Sequence, residues 1–285
     1  MSETFSLFLS IIRLLRPQEW IKNTFVFAPL VFSGSFQRSE DFFTVLTASI
    51  FFCVASSAAY VMNDLKDLDL DSLHPEKRLS RPLASRTVSI NQARFLLIGL
   101  YAILLIGLII HSKYMGIVFI YLILNVAYSF KLKEWPIVDL FCIATGFILR
   151  VLTGAMAISV QLSTWTLITT LCLALYLAVI KRRQELINSG SVSRNVLKSY
   201  TKDLMDHYAQ MAGTSAMVFY GFFAVTIRPA LVHTIPLVMF GIFRYWYIVE
   251  RVSSVESPTE VFFTDIPLIA TVLTWFSLCL YVLWI

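Results

Sequence analysis

The sequence predicts an all-α fold in the form of a polytopic membrane protein. Of its 285 residues, 58% are hydrophobic and only 14% are charged, whereas soluble globular proteins carry about 25% charged residues. The mean hydropathy is +0.74. Apolar runs recur along the chain at about the 20 residues that a helix needs to cross a bilayer. Helices suit these runs because they satisfy their backbone hydrogen bonds within lipid.

The apolar runs predict nine transmembrane helices. The first run begins at Lys22 and contains Pro29 and Gly34. An earlier segment, residues 5–16, places its basic residues after the apolar ones, which favours an interfacial amphipathic helix over a signal peptide. The nine predicted spans are 22–37, 42–62, 93–111, 114–131, 136–158, 163–181, 209–228, 231–249 and 266–285.

The whole chain, residues 1–285, is predicted to form one integral-membrane domain. Its two longest polar stretches, 63–94 and 181–208, each follow an apolar helix directly. This placement suggests two related halves, about 20–131 and 136–285, that close on one cavity.

Basic residues are unevenly distributed between the two sides of the predicted bundle. One side has only Arg38, Lys113 and Arg228, and the other carries nearly all remaining Lys and Arg residues. The crowded side is predicted to be cytoplasmic, which places the N-terminus inside and the C-terminus outside an inner or plasma membrane. No nucleic-acid-binding module is visible, so the pI near 9.0 reflects this orientation and anionic ligands.

The stretch NDLKDLDLDSLHPEKRLSRP, residues 63–82, is the main candidate for chemistry. If the preceding helix continues, Asp64, Asp67 and Asp71 fall within an arc of about 60° on one face. Crowded carboxylates at a membrane boundary favour a cation, and oxygen ligands suit Mg²⁺ bound to a substrate phosphate. With Asn63, they predict a magnesium–pyrophosphate site. The alternative is an ordinary solvated face.

Basic side chains near this motif are candidate phosphate ligands. Lys77, Arg78 and Arg81 follow the aspartates, and arginine binds phosphate oxygens bidentately. A second patch, KRRQEL, contains Lys181, Arg182 and Glu185. Both groups could instead be membrane-interface anchors. Some further candidates could likewise be membrane-interface anchors. Others could form structural ion pairs, such as Lys181 with Glu185 or Asp139 with Arg150. They are Lys22, Asn23, Tyr128, Lys133, Asp139, Arg150, Arg244 and Glu250.

These motifs resemble those of the UbiA-type intramembrane prenyltransferase superfamily. The aspartate pattern follows the second span, Tyr128 and Lys133 follow the fourth, and a second polar motif follows the sixth. The resemblance implies a UbiA-like bundle of nine helices with a central cavity that is open to the cytoplasmic side. Members typically carry a second aspartate-rich motif after the sixth span, and both motifs hold a prenyl pyrophosphate through Mg²⁺. Here that position reads KRRQEL.

This departure resembles one branch of the superfamily, the decaprenyl-phosphate phosphoribosyltransferases. The segments RPQEWIKNTFVFAPL, YSFKLK and SPTEVFFTDIPL agree with it. The resemblance implies transfer of a 5-phosphoribosyl group from phosphoribosyl pyrophosphate to a polyprenyl phosphate, with release of pyrophosphate. Mg²⁺ is the expected cofactor, and a homo-oligomer is compatible with this assignment.

The site residues divide by expected role. Catalytic roles fall on Asp64, Asp67, Asp71, Lys77 and Lys181, with the magnesium held by the three aspartates and Asn63. Glu185 is a further candidate ligand, and Lys22 is a candidate contact for the lipid phosphate. The remaining phosphate and ribose contacts are Arg78, Arg81, Tyr128, Lys133 and Arg182.

Three other functions compete with phosphoribosyl transfer to a polyprenyl phosphate. A UbiA-type prenyltransferase that moves a prenyl group to an aromatic or other acceptor would be expected to carry the second aspartate motif. A transporter or lipid flippase would place polar residues at mid-membrane depth on several helices, whereas most charge here lies at one face. A structural scaffold leaves the aspartate spacing unexplained.

Overall fold

The computed structural model describes residues 3–73, 75–189, 195–251 and 264–284, apart from the side chains at 3–6, 75–77, 189 and 195. The described chain is helical and contains no β-strand, which confirms the all-α prediction. The α-helices are α1 (Glu3–Leu15), α2 (Ala28–Phe32), α3 (Ser39–Lys66), α4 (Leu68–Leu73), α5 (Pro75–Ser80), α6 (Ile90–Ile110), α7 (Ser112–Phe130), α8 (Val138–Ala157), α9 (Thr164–Ser189), α10 (Lys202–Thr226), α11 (Ile235–Arg251) and α12 (Ile266–Trp284). The 3₁₀ helices are Pro17–Phe27, Ser35–Gln37, Leu132–Glu134, Asn195–Ser199 and Pro229–Thr234.

Within the described ranges, seven helices are long and apolar enough to cross a membrane. They are α3, α6, α7, α8, α9, α12, and α11 together with the 3₁₀ turn that precedes it. A multi-pass membrane protein is therefore supported. Nine spanning helices are not confirmed, because the first and seventh predicted spans differ from the other seven.

The first predicted span, 22–37, is not a continuous α-helix. Residues Pro17–Phe27 form a 3₁₀ helix, and α2 adds only five residues before Gly34 turns the chain with a φ of 81°. Pro29 has no N–H and disrupts an α-helix that passes through it, which accounts for the break. The segment still runs antiparallel along α3, since Trp20 donates to Ser57 and Asn23 donates to Ser56.

The seventh predicted span, 209–228, lies mostly in α10. This helix of 25 residues begins with the polar sequence KDLMDH, and it is not among the seven helices that pass on both length and hydropathy. Its N-terminus is capped by Thr201, whose side chain accepts from the backbone N–H of Leu204 at 3.2 Å. A polar, capped start places this end of α10 at the surface of the bundle.

The two ends of α3 mark opposite faces of the bundle. Arg16, which follows α1, donates to Asp64 near the end of α3 at 2.6 Å. Phe36, just before α3 begins, packs on Trp284 at the end of α12, with ring centroids 5.9 Å apart. The described chain therefore begins and ends on opposite faces, as an odd number of crossings requires.

Two large apolar clusters form the core around a central cavity. One contains residues of α3, α6 and α7, including Phe52, and the other contains residues of α9, α10 and α11, including Tyr176. The 3₁₀ segment packs very closely on α8, because a Cβ at Gly154 would meet the carbonyl oxygen of Val26. This contact fixes the segment that carries Lys22 and Asn23 against the cavity wall.

Candidate active site

A cavity of about 1430 Å³ is lined by residues from both halves of the chain. Its polar lining comes from the Pro17–Phe27 segment and from the ends of α3, α7 and α9, and its apolar lining comes largely from α9 to α12. We call the two polar regions the acidic corner, built on Asp64, Asp67 and Asp71, and the basic corner, built on Lys181 and Arg182. Such a cavity suits a ligand with a charged head and a long apolar tail.

The acidic corner lies where α3 ends. The helix does not run unbroken through the motif, because α3 ends at Lys66 and α4 begins at Leu68. Backbone hydrogen bonds of 2.9 Å from Asp67 to Asn63 and from Asp71 to Asp67 keep the turn compact. The turn keeps Asp64 and Asp71 close enough to share Arg81, whereas Asp67 pairs with Lys133.

Each of these carboxylates is paired with a basic side chain, Asp64 and Asp67 with residues from other parts of the chain and Asp71 with Arg81 of the same stretch. Oδ1 of Asp64 accepts from Arg16 at 2.6 Å and from Arg81 at 3.2 Å, and Arg81 also pairs with Asp71. Lys133 pairs with both oxygens of Asp67, at 2.8 and 2.9 Å. Oδ2 of Asp64 is buried and has no hydrogen-bond partner among the described residues. Asn63, Asp67, Asp71, Arg81 and Lys133 line the cavity, whereas Asp64 lies just behind its wall.

Two predicted phosphate ligands in this region are not placed at the cavity. Arg78 is exposed on α5 and is not among the cavity-lining residues. At the end of this stretch, Ser80 and Arg81 line the cavity. The side chain of Lys77 lies outside the described residues.

The basic corner lies at the end of α9, and most of it is tied to other helices. The guanidinium of Arg182 donates to Asp139 at 2.9 Å, to Glu185 at 2.6 Å and to the hydroxyl of Tyr128 at 2.7 Å. Arg182 is only 2% exposed. Lys181 lines the same cavity and forms no ion pair among the described residues. Of the two, Lys181 is therefore the better placed to contact a substrate.

Both predicted structural ion pairs are wrong in their partners. Glu185 pairs with Arg182 instead of Lys181, and Asp139 pairs with Arg182 instead of Arg150. Asp139 and Arg150 share a helix but are separated by three turns, a rise of about 16 Å that no side chain spans. Tyr200 completes the buried cluster by donating to Asp139 at 2.8 Å. Burial raises the pKa of Tyr200, so it remains a protonated donor at neutral pH.

Two residues of the cavity, Arg16 and Glu19, were not predicted as site residues. Both line the cavity, and Glu19 pairs with Lys22 and accepts from Tyr60 at 3.3 Å. Burial opposes ionisation of Glu19, but the charge and hydrogen bond of Lys22, together with the charges of Lys181 and Arg16, outweigh it and lower the pKa of that carboxyl. The motif RPQEWIKN contains these residues, but nothing local connects Arg16 with Asp64, which lies 48 positions away.

The described lining of the cavity carries an excess of positive charge. It contains seven cationic side chains, Arg16, Lys22, Arg81, Lys133, Arg150, Lys181 and Arg182, against five anionic ones, Glu19, Asp67, Asp71, Glu134 and Glu185. Such a lining favours ligands with more than one anionic group.

The fold and this cavity define a class of intramembrane transferases, and the chain belongs to the UbiA prenyltransferase family. The family model matches residues 24–266. A structure of a UbiA homolog from Archaeoglobus fulgidus bound to GPP and Mg²⁺ is similar to this fold, with a TM-score of 0.73 at 17% identity over 97% of this chain and 100% of that one. This likeness concerns the fold.

Similar sequences carry a more specific name. A decaprenyl-phosphate phosphoribosyltransferase from Mycolicibacterium smegmatis is 32% identical over 223 residues, covering 75% of this chain and 70% of that protein. A protein of the same name from Mycobacterium tuberculosis is 30% identical over 228 residues, covering 77% of this chain and 75% of that protein. Both agree with the branch that the KRRQEL motif indicates.

Proposed function

We propose that this protein transfers the 5-phosphoribosyl group of phosphoribosyl pyrophosphate to a polyprenyl phosphate of decaprenyl type and releases pyrophosphate. The observation that carries the proposal is the asymmetry of the cavity, in which an acidic corner faces the basic Lys181 instead of a second aspartate motif. The names of the relatives that are about 30% identical support the same reaction.

The charges of the substrates explain why such an asymmetric site is useful. Each terminal phosphate carries roughly −1.5 to −2 near neutral pH, so the donor and the acceptor repel each other. Lys22 and Lys181 line the cavity and can offset that repulsion. An aromatic acceptor would not need the same excess of cations.

The residues of the acidic corner fit a magnesium ion. The orphaned Oδ2 of Asp64 and the oxygen atoms of Asn63, Asp67 and Asp71 are hard donors of the kind that Mg²⁺ prefers. Among the described residues, no group of three Asp, Glu, His or Cys side chains is placed so that it could hold a metal ion by itself. Mg²⁺ is commonly bound through one or two carboxylates together with substrate phosphates, so no such group is needed. When bound, the ion would neutralise charge on the departing pyrophosphate.

The residues of the chain then act mainly by positioning. A phosphate oxygen of the lipid forms a bond to the anomeric carbon as the bond from that carbon to pyrophosphate breaks, with inversion. The nucleophile is already an anion, so no strong general base is required. Lys181 and Lys22 hold the phosphates close together, Arg81 and Lys133 can move from the carboxylates to phosphate oxygens, and Arg182 holds Tyr128 in place.

The position of the lipid tail and the orientation of the protein in the membrane are inferred from the same cavity. The polyprenyl tail lies along the apolar lining from α9 to α12, which includes Leu173, Val238 and Phe276. We assign the face that carries the acidic corner to the cytoplasmic side of the inner or plasma membrane, because basic residues concentrate there.

The proposal is tested with the purified full-length protein in detergent. Radiolabelled phosphoribosyl pyrophosphate, polyprenyl phosphate and Mg²⁺ should give a labelled lipid, and EDTA should abolish it. The proposal is contradicted if no labelled lipid forms while the protein converts geranylgeranyl pyrophosphate and an aromatic acceptor to product. That result would assign the protein to the prenyltransferases of the family.

A further inference from the structure

Arg150 is a buried arginine deep in the wall of the cavity. It lies on α8 three turns beyond Asp139, and only 5% of it is exposed. The helix rise places it about 16 Å below the level at which Asp139 meets Arg182. A charged side chain at such depth is costly and is a candidate for function by default.

All the hydrogen-bond partners of Arg150 among the described residues are neutral. Its Nε donates to Oδ1 of Asn23 at 2.8 Å, and its two terminal nitrogens donate to the carbonyl oxygen of Gly146 at 2.8 Å and to the hydroxyl of Tyr121 at 3.3 Å. The ion pairs of the described chain do not include it. Its positive charge therefore has no carboxylate partner in this part of the chain.

Aromatic rings surround the guanidinium on several sides. Its central carbon lies 4.9 Å from the ring centroids of Phe52 and Tyr121 and 5.3 Å from that of Phe147. Cation–π contacts stabilise a desolvated cation without neutralising it. The packing thus fixes the orientation of the guanidinium and leaves its charge uncompensated.

The guanidinium can contact a ligand in the cavity because Arg150 is one of its lining residues. Three hydrogen bonds occupy only part of its five N–H donors. Asn23 connects it to the preceding residue in the chain, Lys22, which lines the same cavity and pairs with Glu19. The two cations therefore lie on adjoining parts of one wall.

We propose that Arg150, with Lys22, forms a subsite for a terminal phosphate monoester. This inference rests on the proposed function, in which the 5-phosphate of the donor and the phosphate of the lipid acceptor both have that chemistry. Arginine suits the role because its planar fork binds phosphate oxygens bidentately. The bound phosphate supplies the negative charge that no described carboxylate supplies to Arg150.

The competing explanation is that Arg150 only ties the Pro17–Phe27 segment to α7 and α8. Asn23→Asp separates the two explanations. It keeps an oxygen that accepts from Nε of Arg150, so the tie to α8 is preserved, and it places a carboxylate beside the guanidinium that cancels its charge. It also removes the N–H groups that Asn23 donates to Ser56 and Cys53 on α3. Asn125→Asp is the matched control, because Asn125 also lines the cavity and its side chain donates to the carbonyl oxygen of Tyr121.

The kinetic experiment measures initial rates with each substrate varied in turn. We expect N23D and R150Q to raise the KM of one substrate about tenfold to a hundredfold, the range for a lost charge-assisted hydrogen bond. R150K should restore part of the loss. The substrate whose KM changes identifies the source of the phosphate. An effect of N125D equal to that of N23D, or unchanged KM values in N23D, would overturn the subsite.

A second measurement does not depend on turnover. Inorganic phosphate is added to the detergent-purified protein in EDTA, and the thermal unfolding midpoint is recorded. Phosphate that binds the folded state should raise the midpoint of the wild type and of N125D but not that of N23D. Equal shifts in all three would overturn the subsite. If the wild type makes no labelled lipid but shows this pattern, the proposed reaction fails and the subsite stands.

Discussion

The acidic and basic corners face one cavity but hold their charges differently. In the acidic corner, Arg81 belongs to the same stretch as the aspartates, Arg16 and Lys133 come from other parts of the chain, and all three cations are 18–20% exposed. In the basic corner, Arg182 and Asp139 are 2% and 0% exposed and are bonded to each other. The difference indicates that the first corner can exchange its partners for ligands, whereas the second is a rigid support from which Lys181 projects.

The largest expected effect tests whether the acidic corner is the metal site. Asp64→Asn and Asp67→Asn should each lower kcat/KM by about a thousandfold, because several kcal/mol of charge stabilisation disappear and 1.4 kcal/mol corresponds to a factor of ten. Asp41→Asn is the matched control, since its carboxylate is 18% exposed, as that of Asp67 is, and pairs with Arg38 on the opposite face. Steady-state kinetics with labelled donor measure the effect. Activity retained in both variants would remove the metal assignment.

The next effect concerns stability and tests whether the basic corner is rigid. Arg182→Gln leaves Asp139 buried without its ion-pair partner, and breaking a buried pair costs about 3–5 kcal/mol. We expect a lower unfolding midpoint in detergent and less folded protein. Tyr128→Phe removes the hydrogen bond that Arg182 donates to its hydroxyl, a loss of about 1 kcal/mol for that bond. A fully stable R182Q variant with reduced substrate affinity would instead make Arg182 a ligand.

A smaller effect distinguishes the role of Lys181 from that of Arg182. Lys181→Met should lower kcat/KM about tenfold to a hundredfold, since it removes one charge-assisted contact to phosphate. It should leave the unfolding midpoint unchanged, because Lys181 forms no ion pair among the described residues. Lys181→Arg is the conservative control and should retain more activity. A stability loss in K181M as large as that of R182Q would make both residues structural.

The smallest effect is the pH dependence of the pair between Glu19 and Lys22. The pKa of Glu19 is lowered from its usual value of 4.5, so its stabilising charge is fully present above that value and is lost as pH falls through the lowered pKa. Glu19→Gln should therefore cost about 1 kcal/mol or less at neutral pH, and the difference from the wild type should disappear in acid. Unfolding midpoints between pH 3 and pH 7 measure it. A difference that persists in acid would contradict this account.

Local patterns were sufficient for the outline of both corners. The spacing of Asp64 and Asp71 predicted that they would lie together, and both contact Arg81, although α3 ends before Asp67. Apolar runs predicted seven spans that the structure supports. These features depend on neighbours in sequence, because helix periodicity and hydropathy act over short distances.

The partners of these residues could not be predicted from local patterns. Arg16 meets Asp64 across 48 positions, and Arg182 meets Asp139 across 43. Such pairs depend on which helices pack together, and a single sequence does not specify that packing. The uncompensated charge of Arg150 became evident only when the neutral character of its neighbours was known.

The broken Pro17–Phe27 segment has a consequence for how the protein is made. A 3₁₀ helix that leads into a break at proline is tolerated at membrane depth only where protein or a water-filled cavity covers it. Its cover comes from α3 and from α8, where Gly154 meets Val26. Its contact with α8 can form only after residues 138–157 have been synthesised. The wall that carries Lys22 is therefore completed only after translation has passed the middle of the chain.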